Sequence, residues 1–259
     1  MFDFHMHTRV SFDSESDPRA VVARAEEIGL REICFTDHYD YNSDRSIESN
    51  LFSPEVYLKE YSGLSSDKVK IRHGVEFGLT DWNVGRLSEV SDFIELDYVI
   101  GSLHFVKGVD PYEMRYWDGR TVEAAFLDYL ETTLDCVKKH TDFDCLGHLT
   151  YAGKWNKATG PLFYKDFSEV CDEIMRILAE RGKGMEINTS AIDRIGQFMP
   201  ERDFLIRFRE LGGEIITVGS DAHTVDRIGQ YTDRAIALAG EIFGGVYTFE
   251  KRKPIFHKI

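Results

Sequence analysis

Near its start the chain reads FDFHMHTRVSFDS, Phe2 to Ser14. His5 and His7 stand two apart in a segment with strand character, so both side chains point to one face. Imidazoles paired in this way are candidate metal ligands, and Asp13 follows six residues after His7. Further along, histidines and carboxylates recur where strands should end. His38 closes FTDH, Glu76 lies in HGVEFG, His104 closes GSLH, and His148 lies in CLGHL. GMEINTS carries Glu186 and Asn188, and GSDAH carries Asp221 and His223. Mixed imidazole and carboxylate ligands suit zinc, iron or manganese, and one carboxylate can span two cations. No cysteine falls at a ligand position, so nothing selects a thiolate-bound zinc.

The remaining histidines read differently. His73 is three residues before Glu76 and should face away from it on an alternating strand. His140 follows a helix, where a cation suits the dipole, and His257 lies in the tail.

The elements that must position these residues alternate almost without break. FDFHMH, REICFTDH, KVKIRHGVEFG, LDYVIGSLH, DFDCLGHL, KGMEINTS and GEIITVGSDAH read as strands, with helical segments between them. Asp17 and Pro18 open the first helix and Gly29 stops it. The longest helix runs from Thr121 to about Lys139, and GGVYTFEKRKPIF is a tail with strand character. Alternation of this kind means parallel strands joined by right-handed crossovers. In an open sheet the metal-competent residues would spread along an edge. In a closed barrel they converge on the C-terminal mouth, where barrel enzymes place their chemistry. The expectation is a distorted (β/α)7 TIM-like barrel, one domain over residues 1–259.

Composition bounds the rest. A hydrophobic fraction of 42% with 29% charged residues is ordinary for a globular chain. A net charge of −14 disfavours non-specific nucleic-acid or anionic-membrane binding. Carboxylates that hold cations count as negative in that sum, so a loaded site could still attract an anion. Cys34, Cys136, Cys145 and Cys171 show no CxxC spacing and read as buried free thiols. No signal-peptide pattern or long apolar run is present. A soluble cytoplasmic protein is therefore expected, and no apolar stripe assigns an oligomeric state.

The ordered motifs HMH with Asp13, TDH, GVE, GSLH, GHL and GSDAH resemble the PHP (polymerase and histidinol phosphatase) superfamily. Chain length and EINTSAI after the sixth strand are similar to its histidinol-phosphate phosphatase group. That resemblance implies three divalent metal ions at the barrel mouth. His5, His7, Glu76 and Asp221 would hold the first, Glu76, His104 and His148 the second, and Asp13, His38 and His223 the third. It also implies basic residues for substrate phosphate, for which Lys154 and Arg194 are the candidates. Lysine stands where the group has arginine, a point charge in place of a bidentate fork. Lys107, Arg115 and Arg120 in the long fourth loop compete for the role.

The implied activity is metal-dependent hydrolysis of a phosphate monoester, L-histidinol phosphate, by attack of a metal-bridging hydroxide, in histidine biosynthesis. Glu76, Asp221 and His223 would be central to catalysis. Asp37, beside His38, reads as structural. An acidic, aromatic mouth would accept the cationic end of that substrate, with Tyr39, Asp40, Tyr41, Asp44, Tyr116 and Trp117 in suitable loops. The alternatives are another small phosphate ester, an amidohydrolase-type enzyme, whose barrels also open with HxH, or a non-catalytic module. Strand four ends in LHF without the lysine an amidohydrolase would use, and a module tends to lose ligands.

Overall fold

Local signals start the helices where the sequence places them. Asp17 accepts the Arg19 N–H at 2.7 Å ahead of α1 (Pro18–Glu27), between β1 (Phe2–Asp3) and β2 (Glu32–Phe35). Ser53 does the same for α2 (Pro54–Tyr61), which follows β3 (His38–Asp40). A cap of this kind is worth about 1 kcal/mol. Then come β4 (Lys70–Gly78), the short α3 (Ser88–Ser91) and β5 (Tyr98–Ser102). Thr121 caps α4 (Val122–Lys139), whose buried stripe includes Phe126, Tyr129, Leu130, Thr133 and Val137 at helical spacing. β6 (Cys145–Leu146) leads directly into α5 (Tyr151–Trp155), then α6 (Ser168–Glu180) and β7 (Gly184–Asn188). The chain ends with α7 (Ile192–Ile195), α8 (Arg202–Glu210), β8 (Ile216–Gly219), α9 (Thr232–Phe243), β9 (Gly245–Glu250) and β10 (Lys253–Lys258). The computed structural model describes residues 1–155 and 160–259.

The barrel strands are parallel and ordered β1-β2-β4-β5-β6-β7-β8. β3 continues β2 in the same register, Phe35 opposite His73 and His38 opposite Glu76, after a two-residue break. REICFTDH is thus one strand position. Backbone bonds between the two ends of this sheet close it. The Phe4 N–H donates to the Val218 carbonyl, Asp221 N–H to His5 and His7 N–H to Ala222. The expected distorted (β/α)7 barrel is the observed fold. Its tail is an antiparallel hairpin of β9 and β10, with Phe249 packed against Tyr98 of the core.

Much of the interior is apolar, and the metal-competent side chains lie at the C-terminal ends of the strands. Phe4, Met6, Ile33, Phe35, Val75, Ile100, Met185 and Ile187 are buried in the core. All four cysteines are free and buried, and burial raises each thiol pKa, as expected for inert core thiols. Among the described residues, no helix is long and apolar enough to cross a membrane.

Candidate metal centre and pocket

Alternation along the first strand aims His5 and His7 into the barrel mouth while Met6, bridged to Ala222, enters the core. Each histidine is locked by a partner on its outer nitrogen. His5 Nδ1–H donates to Glu186 Oε1 at 2.6 Å, which aims Nε2 inward. The Ser11 hydroxyl donates to Asp37 at 2.8 Å, so its oxygen accepts from His7 Nδ1–H at 3.0 Å. Asp37 also takes the Thr8 N–H and the Tyr61 hydroxyl, so it supports the His7 partner from behind. His104 Nδ1–H donates to Asp40 at 2.7 Å and turns Nε2 toward the centre. Such partners fix tautomer and ring orientation for metal binding.

Glu76 is fully buried and its two oxygens face different histidines. Oε1 lies 2.8 Å from His148 Nε2 and 3.3 Å from His104 Nε2, and takes the Ser102 hydroxyl at 2.6 Å. Oε2 lies 3.1 Å from His5 Nε2, 3.4 Å from His7 Nε2 and 3.0 Å from His38 Nδ1. Asp221 is divided similarly. Oδ1 is 3.3 Å from His7 Nε2, while Oδ2 accepts from Ser190 at 3.0 Å and lies 3.8 Å from Lys154 Nζ. At the rim, Asp13 Oδ2 lies 3.1 Å from His223 Nε2 and 3.6 Å from His38 Nε2. The His7 ring is stacked between His38 and His223, centroids 4.2 and 4.1 Å away. All nine residues singled out as ligands are therefore gathered at one mouth. Asp40 joins them, having looked from sequence like part of a mouth loop.

These atoms fit divalent cations. Among the described residues, His5 Nε2, His7 Nε2, His38 Nδ1 and Glu76 Oε2 are buried and find no hydrogen-bond partner although they face one another. Leaving several lone pairs and a carboxylate oxygen buried and unpartnered is costly unless a cation sits among them. Four sets of donor atoms lie within 4.8 Å of one another, among them His5–His7–Asp221 and Glu76–His104–His148. Burial works against charge throughout, yet carboxylates hold His5 and His38 well above the usual imidazole pKa and lift His104 to about 10. His7 is held well below by burial and by its neighbours His223 and His38. Burial also opposes ionisation of Glu76 and Asp221, but His5 above all holds both well below the usual carboxylate range. A bound cation would displace the imidazole protons.

The close packing of the strands is itself part of the site. At Gly219 a Cβ would run into the His5 side chain and Glu186. The glycine of GSDAH lets the last barrel strand approach the first metal ligands. The other histidines are apart. His73 Nδ1 meets the Tyr57 hydroxyl at 3.0 Å, and His257 meets Thr248 at 2.7 Å. His140 corrects the reading as a helix-end cation. It is buried, donates Nε2–H to the Thr80 carbonyl at 2.8 Å, and burial lowers its pKa.

Above the histidines lies a pocket of about 410 Å³. Its walls differ from those expected. Tyr39 and Tyr41 are buried and pack on one another, Tyr116 is buried against Trp117, and Asp44 caps its own loop. The aromatic wall is instead Phe12, Phe105, Tyr112, Tyr151 and Trp155, with Asp110 beside them. Tyr151, Lys154 and Trp155 share one face of α5 at i, i+3 and i+4. Lys154 lines this pocket and an adjoining groove, in which Arg194 and Arg227 stand near Ser190. Arg194 stacks on Trp155 at 4.5 Å. Lys107 and Arg120 are paired with Asp128, and Arg115 with Glu113, outside the pocket.

A parallel barrel with imidazoles and carboxylates converging at its C-terminal mouth defines a metal-dependent hydrolase. Comparison with known proteins narrows this. The PHP domain model matches residues 3–190. A histidinol-phosphatase of Lactococcus lactis is 35% identical over 235 residues, 87% of this chain and 85% of that protein. A Clostridium acetobutylicum protein named a probable histidinol-phosphatase is 31% identical over 253 residues, 97% of this chain and 98% of that one. The crystal structure of the Lactococcus lactis histidinol phosphate phosphatase, complexed with zinc, L-histidinol and phosphate, superposes with a TM-score of 0.82 at 30% identity. The match covers 98% of each chain. The chain belongs to the PHP domain family, in its histidinol-phosphatase group.

Proposed function

We propose that this protein hydrolyses L-histidinol phosphate to L-histidinol and phosphate, a step of histidine biosynthesis. The observation that carries the reading is Glu76, whose oxygens divide between His104 and His148 on one side and His5, His7 and His38 on the other. A fully buried carboxylate in that position is suited to span two cations. Three divalent ions are proposed, with zinc, manganese or iron as the candidates. His5, His7, Glu76 and Asp221 would hold one, Glu76, His104 and His148 a second, and Asp13, His38 and His223 a third. One barrel domain over residues 1–259 is proposed to carry the site, whose donors run from His5 to His223.

Bound divalent ions supply Lewis-acid charge and make water acidic enough to be a nucleophile near neutral pH. The chain's own residues do the rest. Glu76, Asp221 and His223 fix the positions of the charges around the reacting group. Lys154 Nζ, 2.8 Å from Ser190 Oγ and close to Asp221, places a cation where a phosphoryl oxygen would lie. Arg194, with its guanidinium carbon 4.5 Å from the centre of the Trp155 ring, adds a second at the groove side.

A panel of phosphate monoesters, assayed with zinc, manganese and iron in turn, tests the reading. The expected result is the highest kcat/KM for L-histidinol phosphate and loss of turnover on thorough chelation. Preference for nucleotides or sugar phosphates, or full activity in demetallated protein, would overturn it.

A further inference from the structure

The pocket has opposite poles. Lys154 and Asp110 both line it, and Asp110 is bonded to the Tyr151 hydroxyl. Asp110 sits in the long loop before α4, held by two bonds to the same oxygen. Its Oδ1 accepts the Tyr112 N–H at 2.8 Å and the Tyr151 hydroxyl at 3.0 Å. Among the described residues, Oδ2 has no hydrogen-bond partner and no cation forms an ion pair with this carboxylate. Part-buried beside aromatic rings, this carboxylate is disfavoured in its ionised form, and burial raises its pKa. The cost is offset when a cation arrives. Tyr151 sets the distance: its ring is 5.1 Å from that of His148 and 5.6 Å from that of His104. Asp110 therefore lies about one side chain away from the metal ligands, joined to them through Tyr151.

Flanking Asp110 are Tyr112 and Trp155, packed edge to face at 4.7 Å. Tyr112 is 63% exposed, although it is a large aromatic residue at the pocket rim. Its placement leaves a flat apolar edge next to an anion, a combination that receives a cationic or aromatic amine.

We propose that Asp110 is the specificity-determining residue of this site. Its free oxygen takes the ammonium group of an amino-alcohol phosphate, while Tyr112 and Trp155 flank the ring at the substrate's far end. The proposal rests on the phosphatase reading above and deepens it. The pocket sorts substrates by requiring an anion at the Lys154 pole and a cation at the Asp110 pole. Neutral phosphate esters meet only the first requirement.

The test is Asp110→Asn in the metal-loaded enzyme, with two substrates compared. Asparagine keeps the oxygen that accepts from Tyr112 and Tyr151, so the loop retains its bonds, and a melting curve checks that it does. L-Histidinol phosphate carries the ammonium; p-nitrophenyl phosphate has none. A charge-assisted hydrogen bond lost at this site lowers kcat/KM for histidinol phosphate by about 10- to 100-fold, mainly through KM. Turnover of p-nitrophenyl phosphate stays within about twofold. Equal losses on both substrates would mean that Asp110 only supports the loop, and no loss on histidinol phosphate would mean that it binds nothing. Either result overturns the proposal. Should the wild-type enzyme prefer a different amine-bearing ester, the histidinol assignment fails and the Asp110 comparison is read on that ester. Should it prefer no amine-bearing ester, both fail.

Discussion

Glu186 Oε1 takes the Nδ1 proton of His5 at 2.6 Å, and its other oxygen takes the His148 N–H at 2.9 Å. One buried carboxylate thus orients a histidine of the first strand and pins the backbone of a histidine of the fifth barrel position. Glutamine offers one oxygen where two acceptors are needed. Glu186→Gln should weaken metal affinity by about 10- to 100-fold. Competition with a graded chelator measures this, and unchanged affinity would show that Glu186 does not govern ligand orientation.

Asp13 approaches His38 and His223 and is about one third exposed at the rim, at 35%. Glu76 is not among its contacts. Asp13→Ala should therefore lose one ion and retain the others. Elemental analysis after dialysis is the check, and a variant stripped of all metal would contradict the division into separate ions.

Asp221 adopts φ 53°, a left-handed conformation that asparagine shares readily and alanine does not. Asp221→Asn separates chemistry from backbone strain. Turnover should drop about 100-fold or more, with circular dichroism unchanged. An active Asn variant would remove Asp221 from the ligand set.

Lys154 is 15% exposed in its side chain, and burial lowers its pKa while Asp221 opposes the shift. Lys154→Met keeps the stem and removes the charge. Its kcat/KM should fall about 10- to 100-fold, for p-nitrophenyl phosphate as well as for histidinol phosphate. An effect confined to the amine-bearing ester would place Lys154 away from the phosphoryl group.

His140 links stability to pH. Burial holds its pKa below the ordinary value of 6.5, although the bond from Nε2–H to the Thr80 carbonyl works the other way. The unfolded chain takes up a proton below about pH 6.5 that the fold resists. Stability present above that pH is lost as pH falls through the window, by at most about 1.4 kcal/mol per pH unit. His140→Gln retains a donor for the same carbonyl and should flatten this slope. Urea midpoints at about pH 7.5 and about pH 5.5 compare the two proteins. Identical slopes would exclude His140 as a source.

The barrel and its donors were legible because strand position and ligand position coincide. A histidine or carboxylate at the end of each successive strand carries information about both the fold and the centre, and only closure satisfies all of them. The pocket wall was not legible. Tyr39 and Tyr41 looked available in a polar loop, but the chain folds them onto Phe52 and Trp82. Tyr151 and Trp155 acquire their role from a single turn of helix begun immediately after His148, which spacing in the sequence does not mark. Asp110 lies in an irregular loop whose direction depends on tertiary contacts. His140 shows a further limit: a helix-end position favours charge, but burial outweighed the dipole there.

The sheet is sewn shut between Phe4–His7 and Val218–Ala222, in the same few residues that present His5, His7 and Asp221. Cations held there would be a clasp between the beginning of the chain and its last barrel strand. Chelation should then do more than stop turnover. The seam should fray, and amide exchange at Phe4, His7 and Asp221 should quicken before the rest of the barrel opens.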